Sequence, residues 1–244
     1  IMFDSAKWYK LSGTSNGVTS DYDTSYTKTR LASYMARFNY TFDDKYLITL
    51  TGRWDGASVL AEGNKWDFFP SVSVAWRIDQ ENFMQSQDLF SQLKFRFGYG
   101  ETGNSSVAAY GTTGSIKQAN TVFGDNVAFA VKSDAMPNAL LGWEKTGQYN
   151  IGLDFGFLRG RINGSVDAYY RQTADLLSYV NVPLGANFSN YVYQNIGSME
   201  NKGVEVSLNF IPVETEDWNL QIGLNGTWQQ TVLTELPSAY IDLG

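Results

Sequence analysis

The chain has 244 residues, and its 18 Lys and Arg against 25 Asp and Glu give a net charge of −7. It contains no His and no Cys, which excludes Ser-His and Cys-His catalytic couples, thiolate zinc sites and disulfides. The acidic balance argues against duplex nucleic-acid binding, and the longest apolar run, residues 127–131, is too short for a transmembrane helix of about 20 residues.

Apolar and polar residues alternate along much of the chain. In the first such segment Tyr34, Ala36 and Phe38 alternate with Met35 and Arg37, a period of two that is typical of a β-strand with one apolar face. No segment has a convincing helical period, although residues 80–91 have room for one turn. The alternation predicts eight strands, at residues 34–42, 46–55, 71–79, 93–100, 148–157, 161–171, 204–210 and 218–229.

The connections between these strands alternate in length. The shorter ones lie at residues 42–46, 79–92, 158–161 and 211–217. The longer ones lie at residues 56–67, 101–143 and 172–202. This order is typical of an up-and-down membrane barrel with short periplasmic turns and long outer loops. We therefore predict an all-β, antiparallel transmembrane β-barrel, with a soluble glycan-binding β-sandwich as the alternative.

Aromatic residues are expected at the two rims of such a barrel, where strands meet connections. Large residues also favour the strand ends of soluble sheets, so this signal alone does not decide between the two folds. We predict that the following residues form interfacial girdles: Tyr34, Phe42, Tyr46, Trp54, Phe69, Tyr99, Trp143, Trp218 and Trp228.

The positions of the arginines indicate which face of the strands is exposed to water. Six of the eight fall at polar positions of the alternation and none falls mid-strand on the apolar face, where a charge at the bilayer midplane would cost about 2–4 kcal/mol. The polar face is therefore expected to line an aqueous lumen. For each Arg, the simpler interpretation is a structural ion pair with Asp154, Asp167 or Glu205 rather than contact with a transported solute. The lumen-facing candidates are Arg37, Arg53, Arg77, Arg96, Asp154, Arg161, Asp167, Arg171 and Glu205.

The long connections contain many aromatic residues. Aromatic rings stack on sugars and peptides, and binding residues concentrate on loops, whereas packing between loops or against a partner is an equally weighted alternative. No spaced calcium-loop pattern is present, and we expect no catalytic residue, metal or cofactor. The outer-loop candidates are Tyr110, Phe123, Phe129, Tyr179, Phe188, Tyr191 and Tyr193.

The ends of the chain are expected to lie on the same side as the long loops. Residues 1–30 then form the outer-loop region before the first strand, residues 31–235 form four hairpins of the barrel, and residues 236–244 begin a further outer loop. This arrangement predicts an internal slice of a larger barrel, without plug domain or closing strands. A complete eight-stranded outer-membrane barrel with a structural or adhesive role is the alternative.

Several segments along residues 30–235 form a distinctive series. They include RFNYTFDDKYL at 37–47, FPSVSVAWR at 69–77 and NIGSMENKGVE at 195–205. Further segments of the series lie at residues 53–58, 93–104, 143–146, 150–154 and 173–177. Together and in this order, these segments resemble the barrel region of SusC/RagA-type TonB-linked outer-membrane proteins of Bacteroidota.

The resemblance implies a barrel of about 22 strands around an N-terminal plug, of which this chain holds about a third. It further implies import of large nutrients, either glycans or peptides, across the outer membrane, with no enzyme chemistry. The expected partners are a SusD-like surface lipoprotein that closes the outer loops as a lid, TonB acting through the missing N-terminal part, the protein's own plug domain and outer-membrane lipid; nucleic acid is not expected.

Overall fold

The computed structural model describes residues 27–113, 115–123, 126–181 and 191–236, with 115–123 and 126–135 described by their backbone alone. Most of this part of the chain is extended. The strands are β1 Leu31–Phe42, β2 Tyr46–Ala57, β3 Trp66–Arg77, β4 Phe90–Asn104, β5 Ser115–Phe123, β6 Asn126–Ala135, β7 Glu144–Phe157, β8 Ile162–Ala174, β9 Leu177–Asn181, β10 Tyr191–Asn195, β11 Ser198–Glu214 and β12 Asn219–Glu235.

Eight of the strands form one antiparallel sheet in the order β1-β2-β3-β4-β7-β8-β11-β12. These are the eight strands that the alternation predicts, and neighbours in the sheet follow one another along the chain, as in an up-and-down barrel. The sheet is open, with β1 and β12 as its edges. The antiparallel up-and-down architecture is therefore confirmed.

Two small hairpins lie within the predicted long connections. β5 pairs with β6 inside the segment between β4 and β7, and β9 pairs with β10 inside the segment between β8 and β11. Several main-sheet strands are also longer than their alternating part, most clearly β11 and β12 with 17 residues each.

The register of the sheet separates polar from apolar side chains. Arg96 on β4 is opposite Gly152 on β7, Gly152 is opposite Asp167 on β8, and Asp167 is opposite Glu205 on β11. Residues directly opposite one another point to the same side of a sheet, so these residues share one face, called here the polar face. The other face carries exposed Leu50, Ile151, Leu224 and similar residues and is called the apolar face.

The short connections are compact. Asp43 and Asp44 have positive φ angles of 52° and 51° between β1 and β2, a conformation that Asp tolerates better than most residues in tight turns. Single turns of 3₁₀-helix occupy Ile78–Gln80 and Leu158–Gly160. Among the described residues, no helix is long and apolar enough to cross a membrane.

The buried apolar core lies among the loops at the long-loop end of the sheet and does not cover either face of the sheet. It consists of Ala57, Leu60, Ala61, Phe69, Leu141 and Trp143. The Phe69 and Trp143 rings meet edge to face at 5.4 Å and are only 4% and 6% exposed. The expectation that these two residues belong to an interfacial girdle is therefore wrong, because the loops fold over and cover them.

Phe69 and Trp143 are placed near a local separation of two strands. The β3–β4 ladder covers only Ser71–Arg77 of β3. The residue just before this paired stretch is Pro70, which has no N–H to contribute to a ladder. A Cβ atom at Gly103 of β4 would overlap the Phe69 ring and lie 2.8 Å from the Trp143 ring. The absence of a side chain at Gly103 thus allows the loop core to pack against β4.

Candidate functional site: the polar face and the outer loops

A groove of about 670 Å³ runs along the polar face near the long-loop end of the sheet. Its walls come from β1, β2, β3, β4 and β7, and it contains both Arg37 and Arg53. Asp55 and Glu101 also line it, so the groove presents both signs of charge. Such a surface suits water and polar solutes better than lipid.

Arg96 contacts two carboxylates on the polar face. Its Nη2 atom lies 2.7 Å from Asp154 Oδ1 and 2.8 Å from Asp167 Oδ1, and its Nε lies 3.0 Å from Asp154 Oδ2. The guanidinium thus reaches from β4 across β7 to β8. We call this group the Arg96 brace. It is a structural ion pair of the kind predicted as the simpler role of the lumen arginines.

Gly152 makes the brace sterically feasible. It lies on β7 directly between Arg96 and Asp167 in the register. A Cβ atom there would overlap the Asp167 carboxylate and lie 2.8 Å from Arg96 Cζ. Glycine at this position therefore leaves the path for the guanidinium open, a requirement that the sequence alone does not reveal.

The other candidate arginines have more local partners. Arg53 Nε lies 2.7 Å from Asp55 Oδ1, and Arg77 Nη2 lies 3.8 Å from Asp79 Oδ2. Neither acid was predicted as a partner. The remaining candidates are placed as follows: Arg37 Nε donates to Thr51 Oγ1 at 3.2 Å, Arg171 Nε donates to Gln148 Oε1 at 3.0 Å, Arg161 lies in the turn before β8, and Glu205 is opposite Asp167.

Three of the seven outer-loop aromatic candidates come together on the β9–β10 hairpin. The rings of Tyr179 and Tyr191 are stacked with centroids 4.9 Å apart, and those of Tyr179 and Tyr193 are 4.7 Å apart. Tyr193 also packs against the loop core, whereas Tyr179 and Tyr191 keep substantial exposed area. We call this group the tyrosine cluster.

Of the other four aromatic candidates, only Tyr110 has a described side chain. Tyr110 lies in a separate turn and is 53% exposed. Phe123 and Phe129 lie on β5 and β6, where only the backbone is described. Phe188 lies outside the described residues.

Asparagine side chains that sequence reasoning missed tie the long loops together. Asn195 accepts from Gly142 N at 2.7 Å and donates to Gly142 O at 3.1 Å. Asn138 Nδ2 donates to Tyr193 O at 2.7 Å, and Asn64 Nδ2 donates to Leu140 O at 2.9 Å. These bonds connect loops distant in sequence, so the tyrosine cluster rests on a fixed base.

A second group that the sequence did not reveal lies at the short-turn end. Glu81 Oε1 accepts from Tyr46 OH at 2.6 Å and from Trp76 Nε1 at 2.9 Å, and Lys45 Nζ lies 3.7 Å from Glu81 Oε2. The hydrogen bonds from Tyr46 and then Trp76 lower the pKa of Glu81 below its ordinary value. Glu81 therefore links two short connections to aromatic residues of the apolar face.

The fold and its two faces define the class of protein. A long-stranded, up-and-down antiparallel sheet with one polar and one apolar face is a wall segment of a transmembrane β-barrel. The chain belongs to the family described as TonB dependent receptor-like, beta-barrel, whose model matches residues 3–241.

Individual relatives place the chain more closely within that family. It is 42% identical over 215 residues to the TonB-dependent receptor SusC of Bacteroides thetaiotaomicron, covering 86% of this chain and 21% of SusC. It is 38% identical over 232 residues to the TonB-dependent receptor P26 of Formosa agariphila, covering 95% of this chain and 22% of P26.

Solved structures agree with the sequence relatives. The structure of the RagAB peptide importer in the open-open state matches with a TM-score of 0.77 and 31% identity, covering 97% of this chain and 26% of that one. The closed-closed state matches with a TM-score of 0.74 and 32% identity, covering 84% of this chain and 22% of that one. The chain thus spans only about a fifth to a quarter of these proteins.

These findings confirm the SusC/RagA-type resemblance and the transmembrane barrel fold, and the soluble-sandwich alternative is wrong. The chain is part of an outer-membrane protein, since its family consists of outer-membrane barrels. Its relatives are receptors and transporters rather than enzymes.

Proposed function

We propose that this chain forms part of the wall and outer mouth of an active transporter that imports large nutrients of the glycan or peptide class. TonB supplies the energy through the N-terminal part of the protein, and a SusD-like lipoprotein closes the mouth. The observation that carries the proposal is a continuous polar face beneath a packed cluster of outer loops, in a chain similar over almost its whole length to the RagAB peptide importer.

In this proposal the polar face borders the aqueous path beside the plug domain. Its mixed charges, among them Arg37, Arg53 and Asp55 in the groove, keep water and polar solute in contact with the wall. The Arg96 brace holds β4, β7 and β8 together, so the wall stays rigid while the plug moves. Gated binding and release, rather than bond chemistry, then accounts for transport.

The outer loops contribute the contacts with ligand or lid. The tyrosine cluster presents two partly exposed rings, Tyr179 and Tyr191, on a base fixed through Asn138 and Tyr193. Flat aromatic surfaces suit sugar rings and peptide side chains alike. The same rings suit a protein lid, because Tyr is enriched in the buried centres of protein interfaces.

An uptake experiment in the native host tests the proposal. The gene that encodes this chain is deleted and then restored as wild type, as a Tyr179→Ala/Tyr191→Ala variant, or as a Tyr34→Ala control at the rim of the apolar face. Uptake of fluorescent glycan and peptide mixtures is compared in cells with and without TonB. We expect TonB-dependent uptake that the Tyr179/Tyr191 variant lowers and the Tyr34 control leaves unchanged.

Purification of the protein from outer membranes in mild detergent tests the partner. We expect a surface lipoprotein to co-purify with the protein. Wild-type uptake that is independent of TonB, or unaffected by deletion of the gene, would contradict the transporter role and favour a structural or adhesive barrel.

A further inference from the structure

A second cavity, of about 430 Å³, opens at the long-loop end beside the start of β1. Three segments line it: the residues before β1, the loop between β2 and β3, and the turn that contains Tyr110. Its charged and aromatic members are Lys28, Arg30, Glu62, Lys65 and Tyr110. We call it the basic pocket, and it is separate from the tyrosine cluster and from the polar-face groove.

The basic pocket concentrates positive charge in an acidic chain. It gathers three cations against one carboxylate, although the whole chain carries −7. Within the described ranges, none of Lys28, Arg30 and Lys65 has an ion-pair partner within 4.0 Å, whereas Lys145 pairs with Asp67 at 2.6 Å. Three cations that do not pair internally and face one cavity form a site for an anion.

Hydrogen bonds hold the backbone that carries Arg30 and Lys65. Arg30 N donates to Ser58 Oγ at 2.8 Å, and Ser58 N donates to Arg30 O at 2.9 Å. The Lys65 carbonyl accepts from Ala57 N at 2.9 Å and from Trp143 Nε1 at 3.2 Å. The pocket is thus attached to the buried loop core, and only the cationic side chains need to be ordered when a ligand binds.

Tyr110 adds an aromatic surface in a strained conformation. Its φ angle is +66°, in the left-handed region that bulky residues rarely adopt. The Tyr110 carbonyl accepts from Thr113 N at 3.1 Å and from Thr113 Oγ1 at 2.8 Å, which holds the turn. Residues in such conformations cluster at ligand clamps, and here the strain keeps an exposed ring beside the cations.

We propose that the basic pocket binds an anionic saccharide, with a carboxylate or sulfate group held by Lys28, Arg30 and Lys65 and a sugar ring against Tyr110. The proposal rests on the proposed function in nutrient import and narrows its substrate class to charged glycans. Ser58, Thr112 and Thr113 also line the pocket, together with apolar Val59 and Leu60. Their hydroxyl groups can hydrogen-bond the hydroxyls of a saccharide, which favours a saccharide over an acidic peptide.

Binding to the intact protein, purified from outer membranes in detergent, tests this proposal. The probes are an oligogalacturonate, a sulfated galactan oligosaccharide, a neutral galactan oligosaccharide of the same length, and tetraglutamate. Isothermal titration at low and high salt measures each affinity. We expect one or both charged saccharides to bind at least about tenfold more tightly than the neutral one, with a preference that shrinks as salt screens the charges. The difference between the carboxylated and the sulfated probe identifies the anionic group.

Two variants and a control assign the binding to this pocket. Lys28→Ala/Arg30→Ala/Lys65→Ala removes the charge, and we expect it to abolish the preference. Tyr110→Asn removes the ring but tolerates the left-handed backbone, and we expect it to weaken binding of every saccharide. Lys94→Ala, which removes a cation at the short-turn end of β4, should change nothing. Folding of each variant is checked by its circular dichroism spectrum.

Several results would overturn the proposal. Equal affinity for charged and neutral saccharides would do so, as would a preference that survives the triple variant. Tetraglutamate binding that equals the charged saccharides and ignores Tyr110→Asn would assign the pocket to acidic peptides instead. Because titration does not depend on transport, TonB-dependent uptake without a charge preference would refute this inference alone. Charge-selective binding without TonB-dependent uptake would refute the importer role alone.

Discussion

Replacement of Gly152 by Ala tests whether the Arg96 brace stabilises the wall of the barrel. The added methyl group would overlap the Asp167 carboxylate and crowd the Arg96 guanidinium. Either the guanidinium leaves Asp167 or the strands shift, because both partners lie directly beside Gly152 in the register. A control is available on the same face: a Cβ atom at Gly98 has ordinary contacts, with its nearest neighbours 3.9 Å away.

The expected magnitude follows from three terms. Ala in place of Gly in a strand stabilises the fold by about 0.5–1 kcal/mol, and this applies to both variants. Loss of the Arg96–Asp167 contact costs about 1 kcal/mol, because the two side chains are 37% and 30% exposed and solvent screens the pair. Crowding adds about 1 kcal/mol or more. The free energy of unfolding should therefore be about 2 kcal/mol lower for Gly152→Ala than for Gly98→Ala.

Urea unfolding of the intact protein in detergent, followed by tryptophan fluorescence, measures this difference. The same pair of variants is then made in an Asp167→Ala background, which removes the nearest obstacle to the new methyl group. We expect the penalty of Gly152→Ala to fall by about 1 kcal/mol there, since contacting residues are not additive. Equal stability of the two single variants, or an undiminished penalty in the Asp167→Ala background, would refute the steric and electrostatic reasoning.

Three further predictions concern other parts of the chain. Glu81 has a lowered pKa in the folded protein, so its contribution to stability is present above its ordinary pKa of 4.5 and is lost as the pH falls through the lower folded value. Acidification should therefore shift tryptophan emission in the wild type as Trp76 loses its acceptor, and the same shift in Glu81→Gln would contradict this assignment. Leu141 is fully buried in the loop core, so Leu141→Ala should cost about 2–5 kcal/mol of loop stability and speed proteolysis of the outer loops; proteolysis unchanged from wild type would argue against a shared core. Because the chain has no Cys, Leu50→Cys on the apolar face should resist a water-soluble thiol reagent in membranes while Thr51→Cys on the polar face reacts, and the reverse pattern would invert the assignment of the two faces.

Periodicity was sufficient to predict the main sheet because each strand has one polar and one apolar face. Segment 34–42 carries that alternation with Met35 as its single apolar residue at a polar position, and β1 there includes all of the predicted residues. The ends of β11 and β12 extend beyond their alternating part, because ladder hydrogen bonds hold extended backbone whatever the side chains are. Strand existence was therefore easier to predict than strand length.

The loop structure could not be read from the sequence for a different reason. Leu60 and Leu141 lie in short apolar stretches of two different long connections without a periodic pattern, and only the fold brings them together with Trp143. The same is true of Glu81, whose partners Tyr46 and Trp76 come from two separate strands. The alternation grouped six arginines at polar positions, but which of them would pair with which acid depended on register.

The Arg96 brace also bears on how the barrel wall is assembled. Arg96 and Asp167 are 71 positions apart in the chain, and β5 and β6 are formed between β4 and β7. A slip of β7 by one residue would turn its polar side chains toward lipid, but a slip by two would preserve both faces. It would, however, bring Asn150 or Asp154 beneath the guanidinium in place of Gly152, and either side chain would block its path. Gly152 thus favours the native register over slips of β7 by two residues in either direction, which the separation of polar and apolar faces does not distinguish.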